Sequence, residues 1–363
     1  MAKFIIMALA VMLIMQVYVS WHVWRLLPFS IPVKVIAILL LLAALACMVL
    51  QFKSDGLPFG VAKAMYVIGN SWLVIMFYLL MLFLLLDIGR LLHLVPASWL
   101  KGNMITLIVM TGAMLTLFVY GNIHYHHKQR QEINLTTDKP LSKPLKIVMM
   151  SDLHAGFHNS RAEVGRWVNM INHERPDLIL IAGDLIDGNV RPIIEEGTAD
   201  EFKRFNAPSV ACIGNHEYIT GIDKVLSFLS ETGIRVLRDE VLSINGVTII
   251  GRDDRSNPNR KSLEQLVQGV TSNDYIILLD HQPYHLEEAR ENGVDLQLSG
   301  HTHQGQVWPL NWVTKKMYEC DYGLLHRGGT DYYISSGLGI WGGRFRIGTS
   351  SEYAVITITP SSQ

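Results

Sequence analysis

At 363 residues the chain has room for two or three domains, and its 49% hydrophobic content and mean hydropathy of +0.23 exceed those of an ordinary soluble protein. The formal net charge is −1, and no basic stripe of the kind that binds nucleic acid stands out, so a nucleic-acid partner is excluded. That near-neutral balance conceals a division. Residues 1–121 hold seven Lys/Arg (Lys3, Arg25, Lys34, Lys53, Lys63, Arg90, Lys101) and two acids (Asp55, Asp87), leaving 24 of the 31 basic and 30 of the 32 acidic residues to the remainder. The three cysteines, Cys47, Cys212 and Cys320, form no CxxC pair, so neither a thiolate metal site nor a disulfide framework is indicated.

In chain order, four apolar stretches come first: Phe4 to Ser20, Val35 to Gln51, Met65 to Leu86 and Met104 to Tyr120. Each approaches the ~20 residues that a ~30 Å hydrocarbon core requires. Gln16, Tyr18, Trp21 and Trp24 stand where a cleavable signal peptide would need small residues, so the first stretch reads as a retained helix. Tyr18, Trp21, Trp24 and Tyr120 suit the aromatic belts found where helices leave a bilayer. Four spans put the N-terminus and the C-terminal portion on one side. Lys3, Lys53, Lys63, Lys128 and Arg130 lie there against Arg25, Lys34, Arg90 and Lys101 opposite, a small bias toward a cytoplasmic C-terminal domain in a multi-pass inner-membrane protein. Gly69, Asn70 and Ser71 inside the third span read as helix-packing residues, with a site between helices as the alternative.

The domain division predicted is a membrane region over 1–122, a polar linker over 123–143 and a soluble domain over 144–363. In that last part short apolar runs alternate with turns, the pattern of an α/β fold. Strands are expected at Leu145 to Met150, Asp177 to Ala182, Ser209 to Ile213, Thr248 to Gly251, Tyr275 to Leu279 and Asp295 to Leu298. Helices are expected at Arg161 to Asn172, Ile222 to Ser230, Ser262 to Val267 and Tyr284 to Asn292, with an Asn245-Gly246 hairpin turn and late strands at Tyr332 to Ser335 and Glu352 to Thr359.

Metal-ligand residue types recur just after these strands, where open α/β sheets gather their ligands. Asp152 and His154 follow Met150; Asp184 and Asp187 follow Ala182; Asn215 and His216 follow Ile213; His281 follows Leu279; His301 and His303 follow Leu298. One such fragment is commonplace, since a single histidine at a strand end is usually a hydrogen-bonded structural residue. Five in succession point to a metal centre. Carboxylates with imidazoles and an amide oxygen suit Mn²⁺, Fe²⁺ or Zn²⁺, and the missing thiolates exclude a closed structural zinc site.

These motifs, D-x-H, G-D-x-x-D, G-N-H-[DE], H and G-H-x-H, resemble those of the calcineurin-like metallophosphoesterase family, over about Leu145 to Pro360. The resemblance implies a four-layer αββα sandwich holding two divalent metal ions. Asp152, His154 and His303 would hold the first, and Asn215, His281 and His301 the second, with Asp184 bridging. His216 would be the donor at the leaving oxygen, oriented by Asp187. The implied reaction is hydrolysis of a phosphate ester or pyrophosphate by in-line attack of a hydroxide shared between the metals. The tail, Ser335 to Gly339 and Gly342 to Arg346 with Glu352, is similar to that of a bacterial subgroup with N-terminal membrane segments. Arg344 or Arg346 is expected either at a substrate phosphate or paired with Glu352.

Trp308, Leu310, Trp312, Val313, Lys315, Lys316, Met317, Tyr318 and Trp341 mix aromatic and basic character. Packing of a late hairpin is the first expectation for this segment; contact with membrane lipid and admission of a lipid-linked substrate is the second. The alternative function is a non-catalytic membrane sensor or scaffold binding a phosphorylated ligand. A transporter is disfavoured by the near absence of charge in the spans.

Overall fold

A computed structural model of the chain describes residues 2–271 and 273–361, with side chains from residue 6 onward. Its contacts divide it into two units, residues up to 120 with 342–344, and residues 121–341 with 345 onward.

The first unit is helical: α1 (Ala2–Leu26), α2 (Ile31–Leu50), α3 (Phe59–Leu91) and α4 (Met104–His126), the last of which continues into the second unit. All four are long and apolar enough to cross a membrane. The helices outrun the apolar stretches seen in the sequence because their polar ends are helical too. Pro32 sits in the first turn of α2, where its missing N–H breaks no helical bond. A Cβ on Gly69 would strike the backbone of Met48, so this glycine lets α3 close on α2, and Asn70 donates to Gln51 Oε1 at 2.7 Å. Helix packing, then, is the use of that pair. Asp87 accepts from the Tyr18 hydroxyl at 2.8 Å, with His22 at 2.9 Å and Arg90 at 3.0 Å, which ties α3 to α1.

The second unit runs β1 (Gln129–Thr137), β2 (Leu145–Met150), α5 (Arg161–His173), β3 (Leu178–Ala182), α6 (Arg191–Glu195), α7 (Ala199–Phe202), β4 (Ser209–Cys212), α8 (Asn215–Thr220) and α9 (Ile222–Leu229). It continues with β5 (Arg235–Val236), β6 (Glu240–Ile244), β7 (Val247–Gly251), α10 (Leu263–Val267), β8 (Tyr275–Leu279), α11 (Leu286–Glu291) and β9 (Leu296–Ser299). Helix α12 (Leu310–Met317) and strands β10 (Gly323–Arg327), β11 (Thr330–Ile334) and β12 (Glu352–Pro360) complete it.

Two six-stranded sheets result, ordered β1-β12-β2-β3-β4-β5 and β10-β11-β9-β8-β7-β6. Alternation along each strand feeds two faces. In β2, Ile147 and Met149 join the core between the sheets, while Val148 and Met150 pack on the outer layer with Val164 and Trp167 of α5 and Phe228 of α9. On the other sheet Ile249 and Ile277 face the shared core, and Ile250, Ile276 and Leu278 meet Leu263, Leu286 and Ala289. Helices outside two sheets that share a core make the αββα order. Strands β2, β3 and β4 run parallel, as do β7, β8 and β9, so the loops after five of them gather at carboxyl ends.

The stretch read as a linker, 123–143, instead holds the end of α4 and strand β1, which pairs in parallel with β12 from Gln129↔Glu352 to Thr137↔Pro360.

Candidate metal centre

Five of the residues singled out from the sequence sit in the left-handed backbone region: Asp152 at φ +53°, His154 at +45°, Asp184 at +52°, His301 at +71° and His303 at +48°. Such conformations cost of order 1–3 kcal/mol each and persist only where surroundings over-determine them. Here they are pinned by bonds between the loops. Asp152 N–H donates to Gly183 O and His154 N–H to Asp184 O, both at 3.0 Å, and His301 N–H donates to the Asp152 carboxylate at 3.0 and 3.1 Å. Glycine is required at two of the turns: a Cβ on Gly214 would collide with the Asp184 carboxylate, and one on Gly300 with that of Asp152.

The side chains converge on two ligand groups. Asp152, His154 and His303 form one, and Asp184, His281 and His301 the other, with ligand atoms in each within 4.8 Å of one another. A third, overlapping group joins His154 and Asp184 to His216. His154 Nε2 and His303 Nε2 face each other at 3.1 Å, with Asp152 Oδ1 3.3 Å from the latter. Asp184 Oδ2 lies 3.0 Å from His281 Nε2 and 3.8 Å from His154 Nε2, a position between the two groups. His281 Nδ1 is 2.7 Å from Ala182 O, the usual backbone partner that fixes a metal-binding imidazole and turns its other nitrogen to the ion. Asn215 opens α8, and its Oδ1 is buried with no hydrogen-bond partner. The nitrogens and carboxylates gathered in these groups fit divalent cations, and the buried, unpartnered amide oxygen of Asn215 is of a type that suits a further ligand.

Electrostatics divides the histidines by role. Burial, and then the charge on His216, lower the His154 pKa to about 3; burial and the neighbouring His281 lower that of His301 to about 4. Both are neutral at pH 7, the form that binds metal. Burial opposes charge on His281, yet Asp184 and Asp152 outweigh it and drive this imidazole well above its usual range. A cation beside Asp184 would take the place of that proton. His216 is different. Burial again opposes its charge, but Asp184 and Asp187 raise its pKa to about 9. Its Nδ1 stands 3.4 Å from Asp187 Oδ1, an ion-pair distance rather than an aligned hydrogen bond, and its ring meets that of His154 edge-on at 4.5 Å.

The Calcineurin-like phosphoesterase family model matches residues 145–305, the segment that carries all of these candidate ligands. A relative from Aquifex aeolicus described as an uncharacterized metallophosphoesterase is 31% identical over 255 residues, which cover 67% of this chain and 96% of that protein. The chain belongs to the calcineurin-like metallophosphoesterase family. An uncharacterized metallophosphoesterase of Helicobacter pylori is 32% identical over 244 residues, 64% of each chain, so the match spans a little under two thirds of that relative. A Danio rerio protein described as a transmembrane protein with metallophosphoesterase domain is 29% identical over 231 residues, 59% of this chain and 53% of its own.

The metallophosphoesterase domain also depends on residues that motif reading passed over. Glu217, wholly buried, accepts the N–H groups of Gly214 at 2.8 Å and of Asp184 and Ile186 at 3.1 Å, so one carboxylate fixes the loops after β3 and β4. It follows His216 directly, and its acidic type in the motif was the available signal. Asn159 shares its Nδ2 protons among the carbonyls of Leu153, His154 and Ile340 at 2.9–3.0 Å and accepts from the Tyr125 hydroxyl at 2.5 Å. No sequence pattern marks that pair. Arg346 is a correction: expected at substrate or at Glu352, it is fully buried and donates to the carbonyls of His303 at 2.7 Å and Ser336 at 2.5 Å. Glu352 is taken instead by Tyr333 and Tyr322, at 2.6 and 2.7 Å.

Proposed function

We propose that this protein is a membrane-held, dinuclear metal-dependent hydrolase of a phosphate ester or pyrophosphate, including one carried on lipid. The observation that supports it best is the place of Asp184 between two ligand groups. Asp152, His154 and His303 would hold one cation, Asn215, His281 and His301 the second, and Asp184 would touch both. When bound, two such ions supply a water of low pKa and a Lewis-acid clamp on phosphoryl oxygens.

The rest is supplied by the protein. Asp184, if it touched both cations, would offset part of their mutual repulsion. His216 would donate a proton to the leaving oxygen as the P–O bond breaks, with Asp187 3.4 Å from its Nδ1 favouring the charged ring. Glu217 keeps the Asp184 and Asn215 loops in register. The four apolar helices serve as a multi-pass anchor in the cell membrane, with the catalytic domain on the cytoplasmic side. Mn²⁺, Fe²⁺ and Zn²⁺ all suit the donor set.

The test is hydrolysis of p-nitrophenyl phosphate and bis-p-nitrophenyl phosphate by the detergent-purified full chain after chelation and metal re-addition. Activity should return with metal in the parent and stay absent in Asp184→Ala and His303→Ala. Undiminished turnover in either variant would rule out the two-metal assignment.

A further inference from the structure

Helix α12 begins seven residues after His303, and its polarity is reversed for a helix on a soluble domain. Asn311, Thr314 and, just past the helix end, Tyr318 form the part-buried inward stripe at helical spacing. Thr314 Oγ1 donates to Asp321 Oδ2 at 2.7 Å, while Thr302, between the two ligand histidines, donates to Asp321 O at 2.6 Å. The Tyr318 ring lies 6.3 Å from that of His301. Polar contacts thus latch α12 to the ligand loop. Outward, Trp312, Val313 and Met317 are 60%, 50% and 59% exposed, and none of the eight residues is buried. Lys315 and Lys316 close the last turn, and the helix contains no acid. Late-hairpin packing, the first expectation for this segment, does not occur.

A helix on a water-facing surface turns its apolar side inward. One that shows tryptophan, valine and methionine outward, with lysines beside them, has the composition of a helix lying in a membrane interface, where the lysines meet anionic headgroups. An apolar phase is always at hand, because the same chain carries four helices of bilayer length and only His127 and Lys128 separate α4 from β1. We propose that α12 is an interfacial helix whose Trp312, Val313 and Met317 face lies in the headgroup layer of the bilayer that holds the chain. The adjoining metal centre then takes phosphate esters or pyrophosphates presented on lipid, a consequence that rests on the hydrolase function proposed above; the docking itself does not.

The test uses the full chain in phosphatidylcholine–phosphatidylglycerol vesicles, with a benzophenone-bearing amino acid replacing Trp312 or, as control, Val241 on β6. After irradiation, mass spectrometry should find a lipid adduct at position 312 several-fold above that at 241. Equal yields, or an adduct to a second copy of the chain, would overturn the docking. A second arm compares a long-chain alkyl p-nitrophenyl phosphate in the vesicles with its soluble methyl analogue. Trp312→Asp combined with Val313→Asp should lower the long-chain to methyl rate ratio by roughly tenfold, about 1.4 kcal/mol of lost surface affinity. An unchanged ratio would refute lipid presentation. If the parent cleaves neither ester, the hydrolase function fails while the adducts still decide the docking.

Discussion

His216 and Asp187 carry the most specific chemical expectation at the scale of single residues. A proton donor matters most when the leaving oxygen is basic, so His216→Gln should cost roughly 10²–10⁴-fold on an alkyl phosphate ester and far less on a p-nitrophenyl ester. Equal losses on both would assign His216 to binding instead. Glu217 makes a second test, because its buried carboxylate accepts three backbone N–H groups. Glu217→Ala should leave these donors unsatisfied and lower stability by ~1–3 kcal/mol or more, together with metal affinity, as read by thermal melting with and without metal. A melting point unchanged by the substitution would contradict the loop-clamping role. The residues of the two candidate ligand groups were legible from sequence because metal chemistry restricts donor type and the strand ends place those types at recurring positions. Asn159, Tyr125 and Arg346 were not, since a hydrogen bond to a carbonyl can be made by many residue types and leaves no spacing in the chain.

Among the elements, strands read well where both faces are buried. Strands β3 and β8 are continuous apolar runs, and β2 is one after Lys146, because each feeds two cores. Strand β1 escaped notice for the converse reason: it lies at the sheet edge, and in Gln129–Thr137 only Ile133, Leu135 and Thr137 are buried. Helix α12 escaped because its apolar residues face outward, so they could not be told from those of a packed hairpin. The last turn of α4, which lies within the second unit, is testable here. Tyr125→Phe removes the donor to Asn159 Oδ1, a buried pair that braces the carbonyl of His154. It should lower stability by about 1–3 kcal/mol and weaken metal binding, whereas an unaltered melting temperature and metal titration would show the contact to be dispensable.

For the whole molecule, the apolar helices and the metallophosphoesterase domain make separate claims. The spans were visible as composition, and their packing, through Gly69 of α3 against Met48 of α2 and the Asp87 cluster joining α1 to α3, was not. Parent and Asp184→Ala chains should both stay in the membrane pellet after alkaline carbonate extraction; release of the parent would contradict four spans. The dinuclear centre is the central claim, and metal stoichiometry by native mass spectrometry addresses it most directly. The parent should carry two divalent ions per chain, Asp152→Ala and His281→Ala should each lose at least one, and hydrolysis should fall in step. A parent that binds a single ion at saturation, or keeps full activity without metal, would contradict it.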